Sequence, residues 1–81
     1  MRVIAEIPHE HYNIKLFYFS GKYILQITLD QYEQTFKINE KDVNDLEDVK
    51  KMITPELLSN CLKRFITMRE DWTSAFKIIN N

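Results

Sequence analysis

Residues 12–38, YNIKLFYFSGKYILQITLDQYEQTFKI, decide the fold of this chain. In three successive runs, at 12–18, 23–29 and 32–38, every second residue is apolar, with Gln34 as the exception. An alternation of period two that is rich in β-branched and aromatic residues is typical of strands that bury one face. Residues 3–7 show the same alternation. The sequence therefore predicts a four-stranded antiparallel meander over residues 1–38.

Short connections between these runs determine which residues face each other. Two-residue turns at 20–21 and 30–31 and a four-residue loop over 8–11 leave little freedom in the register. They place the following apolar residues opposite each other: Tyr18 and Tyr23, Leu16 and Leu25, Leu25 and Phe36, Ile7 and Tyr12, Ala5 and Ile14. Because directly opposed residues lie on the same face of an antiparallel sheet, all three connections predict one buried face.

A change in periodicity separates this sheet from a helical part, 39–81. Asp42 is a suitable N-cap for a short helix over about 43–53, whose apolar residues recur at helical spacing. Thr54 followed by Pro55 then starts a second helix, since threonine caps helices well and proline suits their first position. No proline or glycine follows in the rest of the chain. The predicted fold class is α+β, a four-stranded antiparallel sheet followed by a short helix and a long C-terminal helix.

One apolar stripe runs along the whole of the long helix. It repeats every seven residues at Leu58, Phe65, Trp72 and Ile79, with Leu62 and Phe76 on one side and Cys61, Met68 and Ala75 on the other. A helix of about 25 residues is ~37 Å long, whereas strands of about seven residues reach only ~23 Å. The helix should therefore extend past the sheet by roughly two turns while its stripe continues. An exposed stripe of that size is unusual on a monomer.

The second face of the sheet is also apolar at one end, at Ile4, Phe17, Phe19 and Ile24. A second copy of the chain is the simplest partner for the surplus apolar surface, so we expect a homodimer, with a different protein as the alternative partner. The predicted interface residues are Phe17, Phe19, Ile24, Phe65, Arg69, Trp72, Phe76 and Ile79. Trp72 should matter most, because large buried aromatic side chains dominate interface energetics. Arg69 lies within the stripe, where it would pair with an acid of the interface or lie over an aromatic ring.

Composition and charge exclude several classes of protein. Eighty-one residues leave room for a single domain, 1–81, and the formal net charge of −1 gives no overall attraction to nucleic acid or anionic lipid. No run approaches the ~20 apolar residues that span a bilayer. Glu6 interrupts what would be the apolar core of an export signal, and one cysteine cannot form a disulfide framework. We therefore expect a cytoplasmic protein with no membrane partner.

Candidate groups for chemistry are few. His9 and His11 could not complete a zinc site, which needs three or four protein ligands. Cys61 is expected to be a buried core thiol, with the basic residues 63–64 on other sides of the helix. The acids of residues 40–48 sit at a helix start, where solvated carboxylates commonly lie, and one glycine cannot form a phosphate-binding loop. We therefore expect no catalytic residue, no metal and no cofactor, and interpret the chain as a small non-enzymatic, self-associating protein-interaction module.

The order of elements allows a second interpretation. Four meandering strands followed by a long C-terminal helix resemble the Whirly-type fold of single-stranded-DNA-binding proteins, whose dimers pack helices against each other's sheets. The resemblance covers most of the chain and consists of element order, with no motif residue to carry over. It implies a single-stranded nucleic-acid-binding protein, with Phe17, Phe19 and Tyr23 available for base stacking. Residues 1–38 hold four basic and four acidic side chains, which leaves no electrostatic groove for a phosphate backbone, so we expect no nucleic-acid partner.

Overall fold

A computed structural model describes residues 1–80 of the chain. The elements follow one another as β1 (Arg2–Ile7), β2 (Asn13–Phe19), β3 (Lys22–Leu29), β4 (Tyr32–Asn39), a 3₁₀ turn (Glu40–Asp42), α1 (Leu46–Lys51) and α2 (Pro55–Asn80). The four strands form one antiparallel sheet in the order β1-β2-β3-β4. The predicted α+β class and its ββββαα order are confirmed.

The two hairpin turns adopt backbone conformations that suit their residues. Ser20 and Gly21 have φ values of +52° and +76°, and positive φ at both central residues is what a type I′ turn requires. Asp30 has a φ of +56°, which aspartate tolerates better than most residues because its short polar side chain can hydrogen-bond locally. These turns produce the predicted pairings of β2 with β3 and of β3 with β4.

The pairing of β1 with β2 differs from the prediction. Ile7 lies opposite Ile14 and Ala5 lies opposite Leu16, so the register is displaced by two residues. Six residues, 8–13, separate the paired Ile7 and Ile14, because neither Tyr12 nor Asn13 pairs with β1. A displacement by an even number of residues keeps the same side chains on the buried face, so the predicted face survives the error.

Tyr12 connects the β1–β2 loop to α2. Its hydroxyl donates a hydrogen bond to the backbone carbonyl of Leu58 at 3.2 Å, and its ring stacks on Phe65 with the centroids 6.0 Å apart. The backbone N–H groups of His11 and Tyr12 both donate to Nδ1 of His9, which closes the loop. A contact with a helix far along the chain therefore sets the length of this loop.

A β-bulge in β1 changes which side chains reach each face. Val3 lies opposite Phe17 and Ala5 lies opposite Leu16, so Ile4 is the extra residue. Val3 thereby moves to the outer face beside Phe17, and Ile4 packs against the core. The alternation over residues 3–7 predicts Val3 on the buried face and Ile4 on the outer face, and both predictions are wrong because of the bulge.

One face of the sheet forms the core with the two helices. Its buried residues are Tyr12, Ile14, Leu16, Leu25, Ile27, Val49, Cys61 and Phe65. The sheet supplies most of these side chains, α1 supplies Val49, and α2 supplies Cys61 and Phe65. The other face of the sheet carries no helix, and both helices therefore share a single apolar surface.

Side chains cap the start of each helix, and one cap differs from the prediction. Asp45, and not Asp42, caps α1 by accepting a hydrogen bond at 3.1 Å from a backbone N–H in its first turn. Asp42 lies in the 3₁₀ turn, so α1 is shorter than the predicted helix over 43–53. Thr54 caps α2 as predicted, because its hydroxyl accepts from the N–H of Leu57 at 3.1 Å.

The second helix is longer than the surface on which it packs. α1 occupies the end of the buried face near Ile38, so α2 is displaced toward the β3–β4 turn. Residues up to Met68 pack against the core, whereas every residue from Arg69 to Ile79 is exposed. We term residues 69–80 the projecting segment, and the molecule measures 52 × 26 × 19 Å. The predicted overhang is present and is closer to three turns than to two, because the two helices share one face.

Gly21→Ala should lower the free energy of unfolding by about 1 kcal/mol, because alanine is strained at a positive φ. The added Cβ would lie 3.9 Å from Oε1 of Glu40, which is ordinary contact, so no clash contributes. Urea unfolding followed by circular dichroism measures the change. Ser20→Gly is the control, since it relieves the same strain one residue earlier and should leave stability unchanged or raised. Equal losses from both variants would contradict the type I′ turn.

Tyr12→Phe should lower the free energy of unfolding by about 1 kcal/mol, because the carbonyl of Leu58 loses its side-chain donor.

Burial, with a smaller contribution from Cys61, raises the pKa of Tyr12 above its ordinary value of 10.0. The folded chain therefore holds this proton more tightly than the unfolded chain. The contribution of Tyr12 to the free energy of unfolding is fully present below about pH 10 and falls as the pH rises further. Urea unfolding across this range should show a smaller alkaline fall in Tyr12→Phe. An alkaline loss of stability that is the same in Tyr12→Phe as in the wild-type chain would assign that loss to another group, such as Tyr18.

Candidate interaction surface

The apolar stripe of Phe65, Trp72, Phe76 and Ile79 passes from the core into solvent. Phe65 is only 2% exposed, so it belongs to the core of the single chain and offers no surplus surface. Trp72, Phe76 and Ile79 are 61%, 50% and 80% exposed. Their spacing keeps them on the side of α2 that faces the sheet at Phe65. The stripe therefore continues past the end of the sheet that covers its first half.

Arg69 connects the base of the projecting segment to the β3–β4 turn. Its Nη2 lies 2.8 Å from Oδ2 of Asp30. Both side chains are more than half exposed, so the pair contributes less than about 1 kcal/mol to stability. The prediction paired Arg69 with an acid of the interface, whereas Asp30 belongs to the same chain. The contact holds the first turn of the projecting segment close to the sheet.

A second group of polar contacts fixes the side of α2 that faces β4. Gln34 donates from Nε2 to the carbonyl of Cys61 at 2.9 Å and accepts from Nε of Arg64 at 2.8 Å. Nη2 of Arg64 lies 3.3 Å from Sγ of Cys61, and the guanidinium lies over the ring of Phe36. The expectation that Arg64 points away from Cys61 is wrong, since residues three apart are neighbours on a helix. Gln34 is thus a polar link between sheet and helix within an otherwise apolar run.

Open clefts flank Trp72 where α2 leaves the sheet. The larger cleft has a volume of about 540 Å³ and is lined by Gln31, Tyr32, Met68, Asp71 and Trp72. A neighbouring cleft of about 400 Å³ is lined by Gln31, Tyr32, Trp72, Thr73, Phe76 and Lys77. The two clefts share Gln31 and Tyr32, which the sequence did not indicate because their contribution depends on where the β3–β4 turn lies. Trp72 is therefore an exposed aromatic side chain that is bordered by two open clefts.

An apolar cavity of about 290 Å³ lies nearer the other end of the sheet, between β3, β4, α1 and the start of α2. Its lining residues are Tyr23, Leu25, Phe36, Lys37, Ile38, Val49, Met52 and Leu57. Phe36 and Met52 are exposed, so the cavity is open on the side of β4. The two helices therefore leave part of the buried face uncovered.

The outer-face patch of Phe17, Phe19 and Ile24 lies apart from the projecting segment. It sits beside the β2–β3 turn on the face that carries no helix, whereas α2 projects past the β3–β4 turn. Ile24 is only 7% exposed, so the single chain already covers it, while Phe19 and the neighbouring Val3 are exposed. The two predicted groups of interface residues therefore form two separate surfaces.

The histidines, the cysteine and the acids considered for chemistry lie on different elements of the fold. His9 and His11 lie in the β1–β2 loop, where His9 accepts backbone hydrogen bonds and His11 is exposed. Cys61 is buried, as predicted. Within residues 1–80, no three His, Cys, Asp or Glu side chains come close enough to hold a metal ion. No helix in that part of the chain is long and apolar enough to cross a membrane.

Comparisons of the chain with protein-family models, with curated proteins and with solved structures found no match in any of the three. The resemblance of its element order to the Whirly-type fold is therefore not accompanied by a matching structure.

Proposed function

We propose that this chain is a small, non-enzymatic protein-interaction module that associates with a second copy of itself through the projecting segment of α2. The observation that carries the proposal is the exposure of Trp72, Phe76 and Ile79 on one side of a helix that has left its sheet. Contiguous apolar surface of this kind marks interaction sites on soluble proteins. Once buried in an interface, such aromatic side chains dominate its energetics.

Two-fold symmetry is the reason for choosing a second copy as the partner. In a closed two-fold dimer each copy presents the same patch, so a single contact covers the stripes of both chains at once. The clefts around Trp72 offer open surface against which side chains of a partner could be buried.

The thiol of Cys61 is free and buried, which suits a reducing compartment, and we place the dimer in the cytoplasm.

The double variant Trp72→Gln, Phe76→Gln should be monomeric at concentrations where the wild-type chain is dimeric, because it removes the two aromatic side chains of the projecting segment. Its fold should be retained, since both residues are at least half exposed in the single chain. Light scattering after size-exclusion chromatography measures the mass, and circular dichroism measures the fold.

Ile66→Gln is the matched control for this double variant. Ile66 is 51% exposed, close to the 50% of Phe76, but it lies about 100° around the helix from Phe65 and so outside the stripe. We expect this control to dimerise as the wild-type chain does. A double variant that remains dimeric would contradict the proposal. An equal loss of dimer in the double variant and in Ile66→Gln would contradict it as well.

The alternative, a single-stranded nucleic-acid-binding protein, would use the outer face of the sheet. Phe17 and Phe19 lie on that face, but Tyr23 packs toward the core and cannot stack bases with them. The charged residues of the outer face are three lysines and two glutamates, Lys15, Lys22, Lys37, Glu6 and Glu33. An excess of one positive charge gives little attraction for a phosphate backbone.

A single-stranded oligonucleotide should therefore cause no change in Trp72 or tyrosine fluorescence and no mobility shift. The titration is made at low salt, where phosphate contacts are strongest. The double variant Lys22→Glu, Lys37→Glu should give the same traces as the wild-type chain. Binding by the wild-type chain that this variant loses would favour the nucleic-acid function instead.

A further inference from the structure

We infer that two copies of α2 pair side by side and antiparallel, overlapping over their full length, through the side of the helix that faces β4. In this arrangement the projecting segment of each copy covers the open cavity beside β4 of the other copy. The inference rests on the self-association proposed above and specifies its geometry. The occupant of the surface is a second copy of this chain.

Opposite charges are placed symmetrically about the midpoint of α2. The helix spans Pro55–Asn80, so its midpoint lies between Thr67 and Met68. Arg64 and Asp71 lie on either side of that midpoint, each about 5 Å from it at ~1.5 Å per residue. In an antiparallel pair that overlaps over the full length of the helix, Asp71 of each copy is therefore level with Arg64 of the other. A parallel pair would instead place like charges level with each other.

Both of these charged side chains lie on the β4 side of the helix. The guanidinium of Arg64 lies over Phe36, where Gln34 and Cys61 accept from two of its nitrogens and leave its other donors free. Asp71 lines the larger cleft and pairs with no cation within residues 1–80. A guanidinium from the second copy would find an unpaired carboxylate in this cleft, and two-fold symmetry makes two such pairs.

The middle of the helix suits contact between identical surfaces. Met68 lies next to the midpoint and lines the same cleft as Asp71. It would therefore meet Met68 of the second copy near the two-fold axis, and an unbranched, flexible side chain adapts well to its own copy. Antiparallel neighbours also place the positive end of each helix dipole beside the negative end of the other.

The open cavity beside β4 lies where the stripe of the second copy would arrive. Full overlap of the two helices places Ile79 of the second copy level with the first turn of α2, beside Leu57. Leu57 lines the apolar cavity of about 290 Å³ together with the exposed Phe36 and Met52. The second copy would thus cover the part of the buried face that α1 and α2 leave open, and the same contact is repeated by symmetry.

Asp71→Arg tests the charge pairing. It should raise the Kd of the dimer about tenfold, because two contacts between opposite charges become contacts between like charges. Glu70→Arg is the matched control, since it makes the same charge change one residue earlier and on another side of the helix. It should leave the Kd within about twofold of the wild-type value. Sedimentation equilibrium measures the Kd, and circular dichroism shows whether both variants fold.

Cysteine cross-linking tests the direction of pairing, in a Cys61→Ala background. Met68→Cys should form an interchain disulfide, because residue 68 lies beside the two-fold axis. Ala75→Cys lies one heptad further along the same side and should not, since its two copies would be separated along the axis by ~22 Å at ~1.5 Å per residue. That separation is far beyond the reach of a disulfide.

The outcomes separate this inference from the proposal on which it rests. A dimer that cross-links at Ala75→Cys as readily as at Met68→Cys would be parallel, which overturns the inference and leaves self-association intact. A dimer in which Asp71→Arg has no effect on the Kd would overturn it in the same way. A wild-type chain that stays monomeric at every concentration would refute the proposed function, and the inference with it.

Discussion

A helix of 26 residues cannot bury one side along its whole length against strands of at most eight residues. At ~1.5 Å per residue the helix is ~39 Å long, whereas eight extended residues span only ~26 Å. Because α1 takes part of the same face through Val49, α2 is displaced toward the β3–β4 turn and leaves the sheet after Met68. The exposure of Trp72 and the clefts beside it follow from this difference in length, and the proposed self-association rests on that exposure.

Local pattern was sufficient for most of the fold and failed where a distant contact decides. Alternation gave four strands, and the turn at Ser20 and Gly21 left one register that paired apolar residues. The β1–β2 register could not be predicted in this way, because Tyr12 leaves the strand to donate to a carbonyl of α2. The bulge at Ile4 was hidden for a related reason, since an extra residue in an edge strand leaves no mark in a short apolar run.

The candidate interaction surface was predictable along the helix but not across it. Seven-residue spacing identified Trp72, and the comparison of lengths predicted that it would be exposed. The position of the helix across the sheet depends on tertiary contacts such as Gln34 with Arg64, which no periodicity reveals. The side of α2 that faces β4, with Asp71 beside an open cleft, therefore became visible only in three dimensions. The same holds for Ile24, whose burial on the outer face comes from its neighbours in the sheet.

The solution mass of the wild-type chain tests the central claim most directly. Sedimentation equilibrium from low to high micromolar concentration follows that mass while the fluorescence of Trp72, the single tryptophan, reports its exposure. The account predicts a mass that approaches twice the 9.8 kDa of one chain, with an emission of Trp72 that shifts to shorter wavelength as the dimer forms. A mass of 9.8 kDa at every concentration, with Trp72 still exposed to water, would contradict it.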